Sequence, residues 1–319
     1  MTMKLVLHVG LQKTATSTLQ RAVFTQHSDI FYLGKDRRSA VDKGCRNREV
    51  YDLLTPAIWN KGRTFDVERL RKGVNELIAP GAGEKVVTIG SWEALGNIST
   101  RGFTEMLRRL AVLFGDVRVV ICLRKPVNWL QSLYLQELKG QFRKRNRRHL
   151  GFNTYVEFEK WLELKGGWTS EPGGMLRYGD NIRAASELLG KDRVGVFVFE
   201  ELLADPAAYY TGICEFLGID VDEALRLSHG KVFNRSLSHT QLQLLRETQS
   251  SLLKRFFWLI GPRSDRARVL DDLAGIDAEK VKVQMSPSTV AEIEDYVRGT
   301  NRWLAAEFGL PLENYGYPL

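Results

Sequence analysis

Between His8 and Gln20 the chain sets one lysine, Lys13, among the hydroxyls of Thr14, Thr16, Ser17 and Thr18, at the point where an apolar run gives way to a helical one. Residues 4–9 read as a short buried strand, and residues 17–24 as a helix with Leu19 and Val23 on one face. Such a junction makes an anion site. The first-turn N–H groups of the helix have no intrahelical partner and lie at the positive end of its dipole, so an oxygen-rich anion satisfies them. Lys13 adds the full charge. The usual triphosphate loop needs a Gly-Lys pair with a hydroxyl directly after it, whereas Gln12 precedes Lys13 here and the only loop glycine is Gly10. The apolar run at 85–90 does not end in an aspartate that would hold magnesium. A metal-free phosphate site is therefore expected. A plain helix cap, the alternative, needs one hydroxyl and no lysine.

A second element carries more of this chemistry. Residues 117–123 form another buried strand, followed by Arg124, Lys125 and Pro126, and Pro126 suits the first position of a long helix. Ser132 then lies about two turns along that helix, with Arg124 at its mouth. Both reach one anion if the chain before the helix folds back over it.

Together these residues resemble the sulfotransferases that use 3′-phosphoadenosine-5′-phosphosulfate (PAPS) as donor. Lys13-Thr14-Ala15-Thr16-Ser17 is similar to that family's 5′-phosphosulfate loop, and Arg124 and Ser132 keep the spacing of its 3′-phosphate pair. Phe199-Glu200-Glu201-Leu202, Asp205-Pro206 and Phe216-Leu217-Gly218 resemble a later strand-to-helix run of the family. The resemblance implies a P-loop-like three-layer α/β fold, PAPS as donor, 3′-phosphoadenosine-5′-phosphate (PAP) as product and no required metal. It also implies that Thr14 to Thr18 hold the phosphosulfate, Phe199 stacks near the adenine, and Lys231 and Arg235 belong to a basic loop that closes over the nucleotide. Ala15 replaces the family glycine, which is tolerable if that residue keeps a negative φ.

The reaction needs a base for the acceptor hydroxyl. Members of the family place a histidine or a glutamate just after the strand that precedes the Arg…Ser element, and Glu93 is the candidate here. Trp92 is expected to wall its cleft; desolvation and the Lys13 charge would then act on the carboxylate in opposite senses. The other reading of Glu93 is a helix cap or an arginine partner. Lys13 would stabilise charge on the departing phosphate.

The elements that position these residues are legible as well. Near-continuous apolar runs at 4–9, 85–90, 117–123 and 193–199 alternate with helical stretches, which points to a parallel sheet covered on both faces. With 319 residues and 44% apolar content the chain is read as one domain, 1–319, with a helical carboxyl third from about 240. Residues 35–80 and 140–190 resemble nothing in the family and are expected to build the acceptor site. Cys45, Cys122 and Cys214 have no metal-like spacing, and the histidines form no metal constellation, so a reduced, cytoplasmic setting is expected. No signal peptide is expected ahead of the first strand, and no apolar run approaches the ~20 residues of a membrane span.

Net charge is +8, and Lys139, Arg143, Lys144, Arg145, Arg147 and Arg148 form a run without a carboxylate. It reads either as a solvated helix end or as an attractant for the donor, an acidic glycan or an anionic membrane. Nucleic acid is not expected, because no nucleic-acid motif accompanies the charge. Trp129, Trp161 and Trp168 are expected to serve packing before sugar stacking. Residues 250–261 are unusually apolar and are expected to form a buried helix end, with an exposed wedge at a membrane as the alternative. The expected activity is sulfuryl transfer to a hydroxyl of a carbohydrate or glycolipid. The competing class is a non-catalytic nucleotide- or polyanion-binding protein that keeps the fold.

Overall fold

The computed structural model describes residues 3–34, 48–59, 64–144, 150, 152–167, 176, 178–231, 237–273, 281 and 283–319. The apolar runs of the sequence become a five-stranded, all-parallel sheet of order β2-β3-β1-β4-β5. Its strands are β1 (Met3–His8), β2 (Ile30–Gly34), β3 (Val87–Ser91), β4 (Gly115–Leu123) and β5 (Val194–Val198).

Side chains alternate across the sheet. Leu5 and Leu7 of β1 join Val117, Val119 and Ile121 of β4 in a core with the helices Thr100–Phe114, Pro126–Lys144 and Tyr178–Leu189. Val6, Val120 and Cys122 face the other way, onto Leu19, Val23, Tyr209 and Ile213. Helices thus cover both faces, which is why the strands read as continuous apolar runs rather than alternating ones.

The connection leaving β1 leads to β2 on one side of the sheet, and the connection leaving β4 leads to β5 on the other. The crevice beyond the carboxyl ends of β1 and β4 is therefore a topological switch point, the place where ligands bind in open α/β sheets. The loop after β1 stays pinned to β4 as it enters this crevice, through Val9 N to Val120 O at 2.9 Å and Leu11 N to Cys122 O at 3.1 Å. Gly10 makes that approach possible, because a Cβ there would lie 3.0 Å from the Cys122 backbone nitrogen.

Two elements differ from the sequence expectation. The segment expected as a regular helix over 17–24 is one α-helical turn, Thr16–Thr18, continued by a π-helical stretch, Leu19–Phe24. The apolar segment 250–261 is not a buried helix end. It forms a surface helix, Leu252–Ile260, in which Trp258 alone is buried. Its apolar residues recur at helical spacing but on the side away from the neighbouring helix. Among the described residues beyond 260, the helix Pro287–Phe308 packs on Pro126–Lys144.

Candidate functional site

Lys13 and Ala15 both hold left-handed backbone, with φ of 69° and 58°. Ala15 therefore does not keep the negative φ expected for it. Thr14 between them has a negative φ, and alternating hands of this kind curl successive N–H groups into a concave, anion-binding nest. The amides of Lys13, Thr14, Ala15 and Thr16 make no hydrogen bond among the described residues. The Thr14 hydroxyl turns inward and donates to Leu11 O at 2.6 Å, bracing the loop. Thr16 and Thr18 are buried at the helix start, and Ser17 is half-buried beside them.

Arg124 comes to this loop from the end of β4. Its Nη1 donates to Lys13 O at 2.9 Å, and its guanidinium lies 4.7 Å from the Phe199 ring centroid. Its Nε is buried without a hydrogen-bond partner. The turn that carries it is held from behind, where Glu200 accepts Lys125 N at 3.0 Å on one oxygen and the Tyr317 hydroxyl at 2.8 Å on the other. Trp129, fully buried, donates its indole N–H to Gln12 O at 2.7 Å and ties the following helix to the same loop.

Three cations accumulate here. Burial, then the charges of Arg124 and Lys139, hold Lys13 below the ordinary lysine value, with Glu93 pulling the other way. Lys139 is lowered too, first by burial and then by Arg143. Ser132 and Lys139 stand seven residues apart, two turns of one helix, and so share a face. Ser132 is buried.

Glu93 stands opposite, in the turn after β3. It is buried and accepts Gln20 Nε2 at 2.9 Å, while the same nitrogen donates to Ser91 Oγ at 3.0 Å. Ser91 Oγ is in turn 2.5 Å from His8 Nδ1, and His8 Nε2 is 3.8 Å from Cys122 Sγ. Burial pushes the Cys122 thiol up to about 12, so the floor of the site holds a neutral sulfur. Trp92 does not wall the Glu93 cleft. A Cβ on Gly90 would collide with the Trp92 ring, which folds back over that residue into the core on the other face of the sheet.

The structure thus brings Lys13, Thr14, Ala15, Thr16, Ser17, Thr18, Arg124 and Phe199 to one crevice, with Glu93 coupled electrostatically to Lys13. Lys231 lies exposed beyond the helix Val221–Ser228, and Arg235 lies outside the described residues, as do Cys45, Trp168, Arg145, Arg147 and Arg148. Trp161 is core, with its indole N–H bonded to Glu137 at 3.0 Å. Sequence reasoning quoted Gln20 and Glu200 within motifs but gave neither a bracing role, and it did not single out Tyr317; their partners lie far away along the chain. It had Lys139 only as part of a charge run.

No family model matches the chain, and no curated protein matches it in sequence. Among solved structures it is similar to a sulfotransferase from Alicyclobacillus acidocaldarius, at 18% identity over 85% of this chain and 96% of that one, with a TM-score of 0.41. The sulfotransferase domain of a Synechococcus olefin synthase is 15% identical over 93% of this chain and 94% of its own, with a TM-score of 0.42. A mouse sulfotransferase complexed with PAP is 12% identical over 100% of this chain and 89% of its own, with a TM-score of 0.43.

Proposed function

We propose that this chain is a PAPS-dependent sulfotransferase that moves a sulfuryl group to a hydroxyl of a carbohydrate or glycolipid, working as one domain in the cytoplasm. One observation carries the reading. At the switch point, Lys13, Arg124 and Lys139 converge on a left-handed loop with unbonded amides, and the Arg124 Nε is buried without a partner. Buried cations facing unsatisfied donors fit a polyanion.

When bound, PAPS supplies an activated sulfuryl group on a phosphate leaving group. The amides of Lys13 to Thr16, with the hydroxyls of Thr16, Ser17 and Thr18, hold the 5′ end. Arg124 and Ser132 hold the 3′-phosphate, with Lys231 and Arg235 closing over it. Phe199 packs against the Arg124 guanidinium and offers a ring face to the adenine. Glu93, held by Gln20, takes the proton of the acceptor hydroxyl as its oxygen attacks sulfur in line. The sulfur–oxygen bond to the phosphate breaks, and the Lys13 ammonium stabilises the charge left there. The reading needs no metal, because the chain's own cations face the leaving group.

The deciding experiment is calorimetric titration with PAP, adenosine monophosphate and ATP in the presence of a chelator. Selective binding of PAP is expected, weakened by Arg124→Ala for PAP but not for adenosine monophosphate. Equal affinity for all three nucleotides would overturn the donor assignment.

A further inference from the structure

The helix Leu252–Ile260 turns its apolar side chains outward. Leu252, Leu253, Phe256, Phe257 and Ile260 are between 56% and 80% exposed. Their spacing puts them on one face of a helix. That face is not loose, because Trp258 anchors it from behind. Trp258 donates its indole N–H to Phe142 O at 3.0 Å, stacks on the Phe142 ring, and carries the Arg266 guanidinium 5.6 Å from its centroid.

The surroundings of the face specify what covers it. From Ser250 to Ser264 the sequence has Lys254, Arg255 and Arg263 and no carboxylate. The next acidic residues, Asp265 and Asp271, are paired with Arg268 and Arg143. Lys254 is exposed, and neither it nor Arg255 has a carboxylate partner among the described residues. A rigid apolar face rimmed by uncompensated cations is complementary to an anionic bilayer, whose headgroups take the cations while its acyl boundary takes the aromatic and aliphatic side chains. A second copy of this face would meet it with like charge. No helix among the described residues is long and apolar enough to cross a membrane.

We infer that the helix Leu252–Ile260 is an in-plane membrane anchor that docks the protein on anionic lipid. The anchor needs neither donor nor acceptor, so it stands or falls separately from the sulfotransferase reading.

The test is co-sedimentation of the full chain with vesicles of phosphatidylcholine, alone or mixed with phosphatidylglycerol. Binding to the mixed vesicles is expected, weaker with phosphatidylcholine alone and weakened by salt. Phe256→Ser/Phe257→Ser should lower the partition coefficient about tenfold or more with an unchanged circular dichroism spectrum. Lys254→Glu, at an exposed position, should weaken binding to the mixed vesicles alone. Failure of the unsubstituted protein to bind either vesicle would overturn the anchor, as would undiminished binding by the double variant. So would a dimer in analytical ultracentrifugation that the double variant splits while vesicles capture neither, since the face then belongs to a second copy.

Discussion

Glu93 and Lys13 are coupled electrostatically, and the proposed function gives them opposite duties, base and stabiliser of the leaving group. The Gln20 amide fixes one oxygen of the Glu93 carboxylate through a side chain that is itself bound to Ser91. Glu93→Gln should leave PAP affinity within about twofold and cut transfer at least about a hundredfold, near 2.7 kcal/mol of barrier, in a steady-state assay with radiolabelled donor. Turnover near that of the unsubstituted enzyme would remove Glu93 as base. Lys13 gives a pH signature. Its charged form is disfavoured in the free fold, so its contribution to stability rises with pH between the lowered value and the ordinary 10.5. A bound polyanion restores the charge. PAP affinity should therefore be flat near neutrality and fall in the alkaline range as Lys13 loses its proton, with net proton uptake on binding there. Calorimetry in buffers of different ionisation enthalpy reads this directly, and Lys13→Arg should shrink the slope, leaving the Lys139 part. Lys13 and Arg124 were legible in the sequence because each stands where an apolar strand meets a helix start. The bracing roles of Gln20 and Tyr317 were not, since nothing local marks a glutamine or tyrosine whose partner is dozens of residues away, and Glu200 stood in the Phe199-Glu200-Glu201-Leu202 run with no sign that it holds the Lys125 amide.

At the scale of elements, the loop after β1 stores strain. Ala15 in left-handed backbone costs about 1 kcal/mol relative to glycine, so Ala15→Gly should stabilise the protein by up to that amount, seen as a rise of a few degrees in a calorimetric melt, with PAP affinity retained. A fall in melting temperature would show that the alanine methyl makes a contact worth more than its strain. The strands β1, β3, β4 and β5 could be read from the sequence because both their faces are buried and they carry little else. β2 escaped notice although Ile30-Phe31-Tyr32-Leu33 is apolar and bounded by Asp29 and Gly34, because four such residues after a helix look like its continuation. The helix Leu252–Ile260 was misread for a related reason. Apolar content announces that a face is to be covered and says nothing of whether protein or something else covers it.

At the scale of the whole molecule, the crevice at the switch point is braced by a residue nearly two hundred positions beyond Arg124, Tyr317. The Tyr317 hydroxyl donates to Glu200, which in turn holds the backbone of the Arg124–Lys125 turn. Burial and the Glu200 charge keep that phenol protonated far above its ordinary value, so the bond persists at any pH the fold tolerates. Tyr317→Phe should cost about 1–2 kcal/mol in urea unfolding and weaken PAP binding several-fold through the slackened turn, without altering how transfer depends on acceptor concentration. Unchanged PAP affinity would confine Tyr317 to stability. Tyr317 is also translated after every other residue of the site. A ribosome-bound chain can already have its parallel sheet, its strained loop and its buried cations, and still lack the clasp that sets Arg124. On the proposed reading, nucleotide affinity is then the last property the growing chain acquires, after the sheet and the strained loop that it depends on.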